Sequence, residues 1–175
     1  MPIFDSPAAN RSEFRFAIRG TSRSEKDHYA ASILASILDR RFKQADGEKA
    51  FVRYQPGILP GSFLFGVSDW YLGKLKRDGD KMALPETDGY AKRLMSAPVK
   101  QDEFDTAKRE LAIAIDQTPP ADIWLDIDTY KLPAPGTANA ETVSLADVQR
   151  VLERLQKEPV AQVLVFSNAA AATTN

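Results

Sequence analysis

The chain has 175 residues, of which 43% are hydrophobic and 27% charged, and its formal net charge at pH 7 is −1. This size and composition are those of a single soluble globular domain, and the balanced charge argues against a nucleic-acid-binding protein. The absence of cysteine excludes a disulfide framework, a thiolate zinc site and a cysteine nucleophile. No apolar run approaches the roughly 20 residues that cross a bilayer. The sequence leaves the compartment open between bacterial cytoplasm and periplasm.

The N-terminal part of the sequence predicts a connector, a strand and a long helix. Residues 1–11 contain Asp5-Ser6-Pro7 followed by small residues, which is typical of a linker. Apolar residues at every second position predict a strand over 12–19. Ser24, with Asp27 three residues later, predicts a capping-box-like helix start. Apolar side chains then recur at helical spacing as far as about Ala45, and Asp46-Gly47 is expected to end the helix.

Two strands and a polar stretch come next. Residues 51–54 predict a short strand, and the alternation within 62–72 predicts its hairpin partner, with two Pro-Gly pairs in the connection. The polar, glycine-punctuated stretch 73–89 is interpreted as an extended hairpin or a loop.

Several helices follow this region. A short helix is expected over about 88–96, and the helical spacing of apolar residues predicts a clear helix over 100–117. Thr118 is expected to cap a further helix, with Pro119 at its first position. Residues 132–142 predict a loop.

The C-terminal part predicts one more helix and the last strand. Ser144 and Asp147 form a capping box, and Val143 and Val148 are spaced for the hydrophobic staple that accompanies it. The nearly all-apolar segment 160–167 predicts a strand that is central in the sheet and buried on both faces. Residues 168–175 predict a disordered tail. The order of elements favours an α+β domain over 12–167, with a mostly antiparallel sheet and helices packed on one face.

Two groups of residues are candidates for catalysis or metal binding. His28 is the one histidine of the chain, so it serves either as a general base or ligand, or as an exposed or capping helix residue near Asp27. A lone histidine makes a poor metal site, which favours the second interpretation. Asp122, Asp126 and Asp128 are either a cation site, serving a small-molecule enzyme, or an ordinary acidic helix face. They lack the spacing of an EF-hand loop.

Three further sets of residues have structural explanations. Gly57, Gly61 and Gly66 lie in and beside a hairpin, which favours turns over a phosphate-binding loop. The basic cluster at the end of the long helix is explained by the helix dipole; its members are Arg40, Arg41 and Lys43. Trp70 and Trp124 are interpreted as packing residues rather than stacking platforms.

Five segments of the sequence, taken in order, follow the pattern of a known protein family. The linker and first strand correspond to "IFDSPAANRSEFRFAIRG", and the long helix to "SRSEKDHYAASILASIL". The hairpin corresponds to "VRYQPGILPGSFLFGV", and a later helix to "APVKQDEFDTAKREL". The closing helix and strand correspond to "VSLADVQRVLERLQKEPVAQVLVFS". Together these segments resemble the C-terminal domain of pitrilysin/insulinase-type zinc metallopeptidases. The resemblance covers about residues 3–167 and implies the LuxS/MPP-like metallohydrolase fold.

The resemblance implies a non-catalytic domain. In this family the zinc ligands, H-x-x-E-H and a downstream Glu, lie in the N-terminal domain, and the C-terminal domain supplies the opposing wall of a peptide-enclosing clam. Zinc is therefore expected only in a partner domain and not in this chain. An Arg and a Tyr of the family's hairpin reach the substrate backbone. Tyr54 matches that Tyr, whereas the Arg falls near Gly47, and the adjacent Arg53 is expected on the opposite face of its strand.

Two functions follow as hypotheses. The first is a non-catalytic C-terminal domain that encloses a peptide or pairs with a zinc-bearing half, either upstream of Met1 or on another chain. The second is a stand-alone protein-interaction domain without a protease role. The family's "GGGxxSRLF" is replaced here by "DRRFKQA", and the stretch 73–89 displaces a family helix, so the sequence departs from the peptidases at two places. Exposed edges of the sheet could pair with a second copy of the chain, so a homo-oligomer is a further possibility.

Overall fold

The computed structural model describes residues 4–5, 13–68, 76–78, 81–83, 92–129, 131 and 140–166. The strands in this part of the chain are β1 Phe4–Asp5, β2 Glu13–Arg19, β3 Ala50–Gln55, β4 Ser62–Ser68, β5 Lys76–Asp78, β6 Lys81–Ala83 and β7 Val160–Phe166. The helices are α1 His28–Asp46, α2 Gln101–Asp116, α3 Pro120–Trp124 and α4 Leu145–Leu155. A π-helical turn, Leu125–Thr129, continues α3.

The main sheet has five strands in the order β1-β7-β2-β4-β3. Only the contact between β1 and β7 is parallel; β2 runs antiparallel to both β7 and β4, and β4 runs antiparallel to β3. In the middle of the sheet Phe16 stands opposite Phe65 on one side and Gln162 on the other. The predicted α+β class with a mostly antiparallel sheet is confirmed.

Alternation along the strands separates a core face from an open one. Phe16 of β2 and Phe65 of β4 are buried and stacked, with ring centroids 4.4 Å apart and planes at 9°. Phe42 of α1 contacts both rings, at 6.3 Å and 6.1 Å. The buried apolar residues of α1, α2 and α4 belong to this same cluster. The described helices that bury apolar residues therefore pack on one face of the sheet, as predicted.

The long helix α1 begins later than its sequence predicts. Its N-cap is Asp27 rather than Ser24, and the Asp27 carboxylate makes no hydrogen bond to the helix backbone. The carboxylate is used instead in an ion pair with Arg150 of α4. The helix ends at Asp46, and Gly47 follows it with a φ of 89°, a left-handed conformation that favours glycine.

The later helices follow their predicted positions within a residue or two. Helix α2 is confirmed, while α3 begins at Pro120 with Pro119 as its N-cap, one residue beyond the prediction. Thr118 does not cap α3, because its hydroxyl donates to the Ala114 carbonyl at 3.0 Å. The capping box of α4 is confirmed, since the Ser144 amide donates to the Asp147 carboxylate at 2.9 Å and Ser144 Oγ accepts from the Asp147 amide at 3.3 Å.

The last strand differs from its prediction. Strand β7 is paired on both sides, by β1 and β2, and so lies inside the sheet. Burial on both faces is wrong for its first residues, because Ala161 is exposed and Val163 is only half-buried. The reason is that the helices cover one face, so the alternate positions of β7 look away from the core.

The stretch 73–89 is predicted to be an extended hairpin or a loop, and it contains two antiparallel strands, β5 and β6. Lys76 pairs with Ala83, and Asp78 pairs with Lys81. Within the predicted linker, Phe4–Asp5 pairs with the end of β7. Of the expected helix 88–96, residues 92–95 are helical.

Trp70, the tail 168–175 and most of the loop 132–142 lie outside the described residues. No helix of the described chain is long and apolar enough to cross a membrane.

Candidate functional site

Tyr54 lies near the end of the edge strand β3, on the core face of the sheet. Its ring is half-buried and stacks on Phe63 of β4, with centroids 5.0 Å apart and planes at 27°. The adjacent Gly20 has little free space, since a Cβ there would lie 3.2 Å from Tyr54 Cε2. The tyrosine ring is therefore held in one orientation by packing.

The Tyr54 hydroxyl is tied to two neighbouring elements. It donates to the Thr21 carbonyl oxygen at 3.1 Å and also contacts the Thr21 hydroxyl. It lies 3.3 Å from Nδ1 of His28 at the start of α1. Burial raises the pKa of the Tyr54 phenol above its ordinary value. The phenol is consequently a protonated hydrogen-bond donor at neutral pH.

The turn between β3 and β4 is fixed to the segment that contains Thr21. The Gly61 amide donates to the Thr21 carbonyl at 2.9 Å, and the Gly20 amide donates to the Gly61 carbonyl at 2.8 Å. Gly61 must be glycine in this geometry, because a Cβ would lie 2.1 Å from the Gln55 carbonyl oxygen. The Arg23 amide donates to the Gly57 carbonyl at 2.9 Å. The interpretation of Gly57 and Gly61 as turn residues is confirmed.

This anchored turn presents apolar side chains to solvent. Ile58 and Leu59 are 57% and 78% exposed. Both lie between Pro56-Gly57 and Pro60-Gly61, whose backbone restricts the turn. The hairpin tip, defined as residues 56–61, is thus a rigid apolar projection beside Tyr54.

A charged cluster borders the same site at the start of α1. Arg150 of α4 donates to the buried Asp27 carboxylate at 2.6 Å, and Arg154 lies 3.6 Å from the other oxygen of Asp27. Glu25 is 3.8 Å from Arg154 and accepts a hydrogen bond from the Ser22 amide at 2.8 Å. Nη2 of Arg154 is buried and makes no hydrogen bond within the described part of the chain.

Sequence reasoning did not find this cluster. Arg150 and Arg154 are one helical turn apart, so they share a face of α4, and that spacing was the available signal. Nothing in the local sequence indicates that α4 lies beside the first turn of α1, which precedes it by more than a hundred residues. The cluster is a product of the tertiary fold.

His28 is neither exposed nor a cap. It is the first residue of α1, is half-buried, and its ring contacts the rings of Tyr29 and Tyr54 at 5.0 Å and 5.7 Å. The donor set around it does not fit the family's zinc, because the chain has one histidine and no cysteine. Within the described residues, no group of three His, Cys, Asp or Glu side chains could hold a metal ion.

Arg53 lies on the opposite face of the sheet from Tyr54, as the alternation of the strand predicts. Its side chain is exposed, and its guanidinium carbon lies 5.0 Å above the centroid of the Phe51 ring. Gly66 lies opposite Phe51 on β4, and a Cβ there would lie 2.3 Å from Phe51 Cζ, so the Phe51 ring occupies the space above this glycine. Tyr54 and Arg53 are therefore not brought together into one site.

Two of the three acidic candidates, Asp122 and Asp128, are exposed. Asp122 is exposed in the first turn of α3, and Asp128 is exposed in the π-helical turn. The side chain of Asp126 lies outside the described residues. Trp124 is 64% exposed, so its interpretation as a packing residue is wrong. The helix α3 directs Trp124 away from the core, which places a large aromatic surface in solvent.

The basic residues of α1 have structural roles that go beyond the helix dipole. Arg41 donates to both carboxylate oxygens of Glu103, at 2.8 Å and 2.6 Å, and to the Ala97 and Pro98 carbonyls, each at 2.8 Å. Arg40 pairs with Glu110 of α2 at 2.7 Å. Lys43 is the member in the last turn of α1, and it pairs with Asp39 at 2.8 Å.

Comparisons with known proteins give the fold a context. No family model matches the sequence, and no curated protein matches it. The structure of a peptidase M16 inactive domain from Pseudomonas fluorescens matches 93% of this chain with a TM-score of 0.65 and 17% sequence identity. A protease from Helicobacter pylori matches 94% of this chain, with a TM-score of 0.64 and 14% identity.

A third structure is close to this chain in length. It is described as the inactive peptidase domain of a candidate zinc protease from Bordetella parapertussis, and it matches 89% of this chain with a TM-score of 0.63 and 17% identity. This chain spans 91% of that structure, but 42% and 43% of the other two chains. The chain therefore has the fold of the peptidase M16 inactive domain.

Proposed function

We propose that this chain is the non-catalytic C-terminal domain of a pitrilysin-type zinc metallopeptidase, which encloses a peptide together with a zinc-bearing half. The observation that carries the proposal is the fold, which matches an inactive peptidase domain over 93% of this chain. The five ordered sequence segments support it independently, because they follow the family pattern from the first strand to the last.

In this role Tyr54 is the residue that meets the peptide. Its hydroxyl remains protonated at neutral pH, and its orientation is set by Phe63 and Thr21. The neighbouring edge of β3 is obstructed, because the Val52 amide already donates to the Asp39 carboxylate at 2.7 Å. A peptide that approaches this edge would therefore meet the Tyr54 side chain and the hairpin tip rather than adding a strand along all of β3.

The proposal is tested with the chain alone and with a zinc-bearing partner. The purified chain is expected to bind no zinc tightly and to cleave no unfolded peptide. Mixed with the H-x-x-E-H protein encoded in the same reading frame or beside it, the chain is expected to form a complex that cleaves peptides. Tight stoichiometric zinc or metal-dependent cleavage by the chain alone would contradict the proposal.

A second candidate function is a stand-alone protein-interaction domain. The observation that favours it is the hairpin tip, where Ile58 and Leu59 are exposed on a turn held by backbone hydrogen bonds. Apolar side chains on a rigid projection are typical of interface anchors. Binding of a protein without any H-x-x-E-H segment, lost on replacing both residues by Ser, would favour this function over the first.

A further inference from the structure

The strand β3 forms one edge of the main sheet and is long enough to accept a further strand. In the described part of the chain it pairs with β4 alone, over its six residues Ala50–Gln55. The opposite edge is β1, which is described over two residues. A six-residue edge that contains Phe, Val and Tyr is a template for pairing with another chain, whereas a two-residue edge offers little. The edge of β3 therefore needs protection.

Most backbone amides on the open side of β3 are occupied by the chain itself. The amides of a strand point alternately to its two sides. The Val52 amide points away from β4, because it donates to the Asp39 carboxylate of α1 at 2.7 Å. The Ala50 amide, two residues earlier, donates to the Gly47 carbonyl at 3.0 Å. The third amide on this side belongs to Tyr54, near the end of the strand, so two of the three are already used.

Asp39 is held in position for its contact with β3. Its other carboxylate oxygen pairs with Lys43, one helical turn later, at 2.8 Å, and the Asp39 side chain is only 24% exposed. Val52 is buried where α1 packs against β3. The Asp39 carboxylate thus lies where the carbonyl oxygen of an added strand would accept from the Val52 amide. Its negative charge also repels such a carbonyl oxygen, as charged side chains at natural sheet edges do.

We propose that Asp39 keeps the edge of β3 closed to a second copy of this chain, and that its removal makes β3 a self-pairing surface. A second copy is the expected occupant, because two identical edges can pair antiparallel about a two-fold axis. In a pairing centred on Val52, both Val52 amides would have to leave Asp39, and the two carboxylates would approach each other. The inference does not depend on the proposed peptidase role.

A purely structural role is the competing explanation for Asp39. In that case the carboxylate only fixes α1 to β3, and its removal lowers the stability of the chain without changing its association. The two explanations therefore differ in the mass of the folded variant as a function of concentration, which stability measurements alone do not report.

The test measures the mass of the full chain by sedimentation equilibrium between about 1 μM and about 1 mM. Asp39→Ala removes both the acceptor and the charge, and alanine is well tolerated inside a helix. This variant should associate about thirtyfold more tightly than the wild-type chain, because a two-fold dimer frees two amides and removes two carboxylates. The association should reverse on dilution. Lys43→Ala is the matched control: it removes the other partner of Asp39 but leaves the Val52 contact, so association should stay within about twofold of wild type.

A cross-link locates the pairing. The sequence contains no cysteine, so a single introduced thiol reports on one position. In the Asp39→Ala background, Arg53→Cys places the thiol on β3, and Arg109→Cys places it on the exposed surface of α2. A short bismaleimide should join the Arg53→Cys chains into dimers and leave the Arg109→Cys chains monomeric.

Three results would overturn the proposal. They are a folded Asp39→Ala variant with the mass of the wild-type chain at every concentration, equal association of Lys43→Ala, and cross-linking that does not favour Arg53→Cys over Arg109→Cys. Asp39→Asn covers the case in which Asp39→Ala does not fold, since it keeps an acceptor for the Val52 amide and loses only the charge. It should then associate more tightly than the wild-type chain, and association equal to wild type would contradict the proposal.

Discussion

Tyr54 is the residue on which the proposed site depends, and its hydroxyl contributes to stability as well. Replacing Tyr54 by Phe keeps the stacking on Phe63 but leaves the Thr21 carbonyl with only the Gly61 amide as donor. We expect Tyr54→Phe to lower the free energy of unfolding by about 1 kcal/mol, as measured by urea denaturation. Tyr29→Phe is the control; its ring is also half-buried, and the change should cost less than about 0.5 kcal/mol.

The titration of Tyr54 gives a second readout. Because burial raises the pKa of its phenol in the folded state, the protein gains stability that is fully present below the ordinary tyrosine pKa. That stability is lost as the pH rises through the folded value. The tyrosinate absorbance of the Tyr54→Phe variant should lose a component that titrates above the ordinary tyrosine pKa. An unchanged titration curve would contradict the assignment.

For single residues, the sequence predicted Tyr54 as a site residue but not the side chains that surround it. Tyr54 was identified through the resemblance of its hairpin to a family motif, and the face of Arg53 followed from alternation along the strand. The ion pair of Asp27 was not predicted, because the capping-box-like pattern of Ser24 and Asp27 already explained an acidic residue at this position. Its ion pair with Arg150 depends on packing that the local sequence does not encode.

Among the elements, the contact between α1 and α2 contains two arginines with different environments. Arg41 and Glu103 form a pair with side chains 13% and 23% exposed, whereas Arg40 and Glu110 are 34% and 52% exposed. Arg41 also satisfies two carbonyls of the segment that leads into α2. The two adjacent residues thus allow a comparison of buried and exposed ion pairs within one helix.

We expect Arg41→Ala to lower the free energy of unfolding by about 2 kcal/mol, because it leaves a partly buried carboxylate and two carbonyls without their donor. Arg40→Ala should cost less than about 1 kcal/mol. Thermal unfolding of both variants measures the difference, and equal effects would contradict this account.

The Arg41 guanidinium lowers the pKa of Glu103, so the stability from this pair is present above the ordinary glutamate pKa. It is lost as the pH falls through the lowered value, and Arg41→Ala should remove that dependence.

Elements with strong local signals were predicted well. The capping box of Ser144 and Asp147 fixes the start of α4, and the structure shows both of its hydrogen bonds, with Ser144 lowering the pKa of Asp147 to about 2. The start of α1 was misplaced because Ser24 and Asp27 imitate the same pattern. There Glu25 accepts from the Ser22 amide, so a local turn competes with the cap.

In the whole molecule, an ion-pair cluster connects the residue before the first helix, α1, to the helix α4. Asp27 precedes α1, Arg150 and Arg154 belong to α4, and between them lie β3, β4, the hairpin of β5 and β6, and the helices α2 and α3. The sheet closes in the same way, because the C-terminal strand β7 pairs with both β1 and β2. The fold therefore depends on contacts between parts of the chain that are more than a hundred residues apart.

Removal of Asp27 tests this closure. Asp27→Asn keeps the size of the side chain but removes the charge that pairs with Arg150 and Arg154. Since the carboxylate is only 12% exposed, we expect a loss of about 2 kcal/mol in the free energy of unfolding. Asp147→Asn is the control variant. It removes the other carboxylate that pairs with Arg150, but this carboxylate belongs to α4 itself and does not contact α1.

Hydrogen exchange locates the effect. If Asp27 connects α1 to α4, Asp27→Asn should speed the exchange of amide hydrogens both in the first turn of α1 and in α4. The amides of β4 should keep their protection against exchange. Asp147→Asn should speed exchange in α4 only. If Asp27→Asn speeds exchange in α1 alone, the position of Asp27 at the N-cap, and not its bridge to α4, accounts for the loss of stability. Coupling between Asp27→Asn and Arg154→Ala in a double-mutant cycle would then be absent, whereas the bridge predicts that the two changes are strongly non-additive.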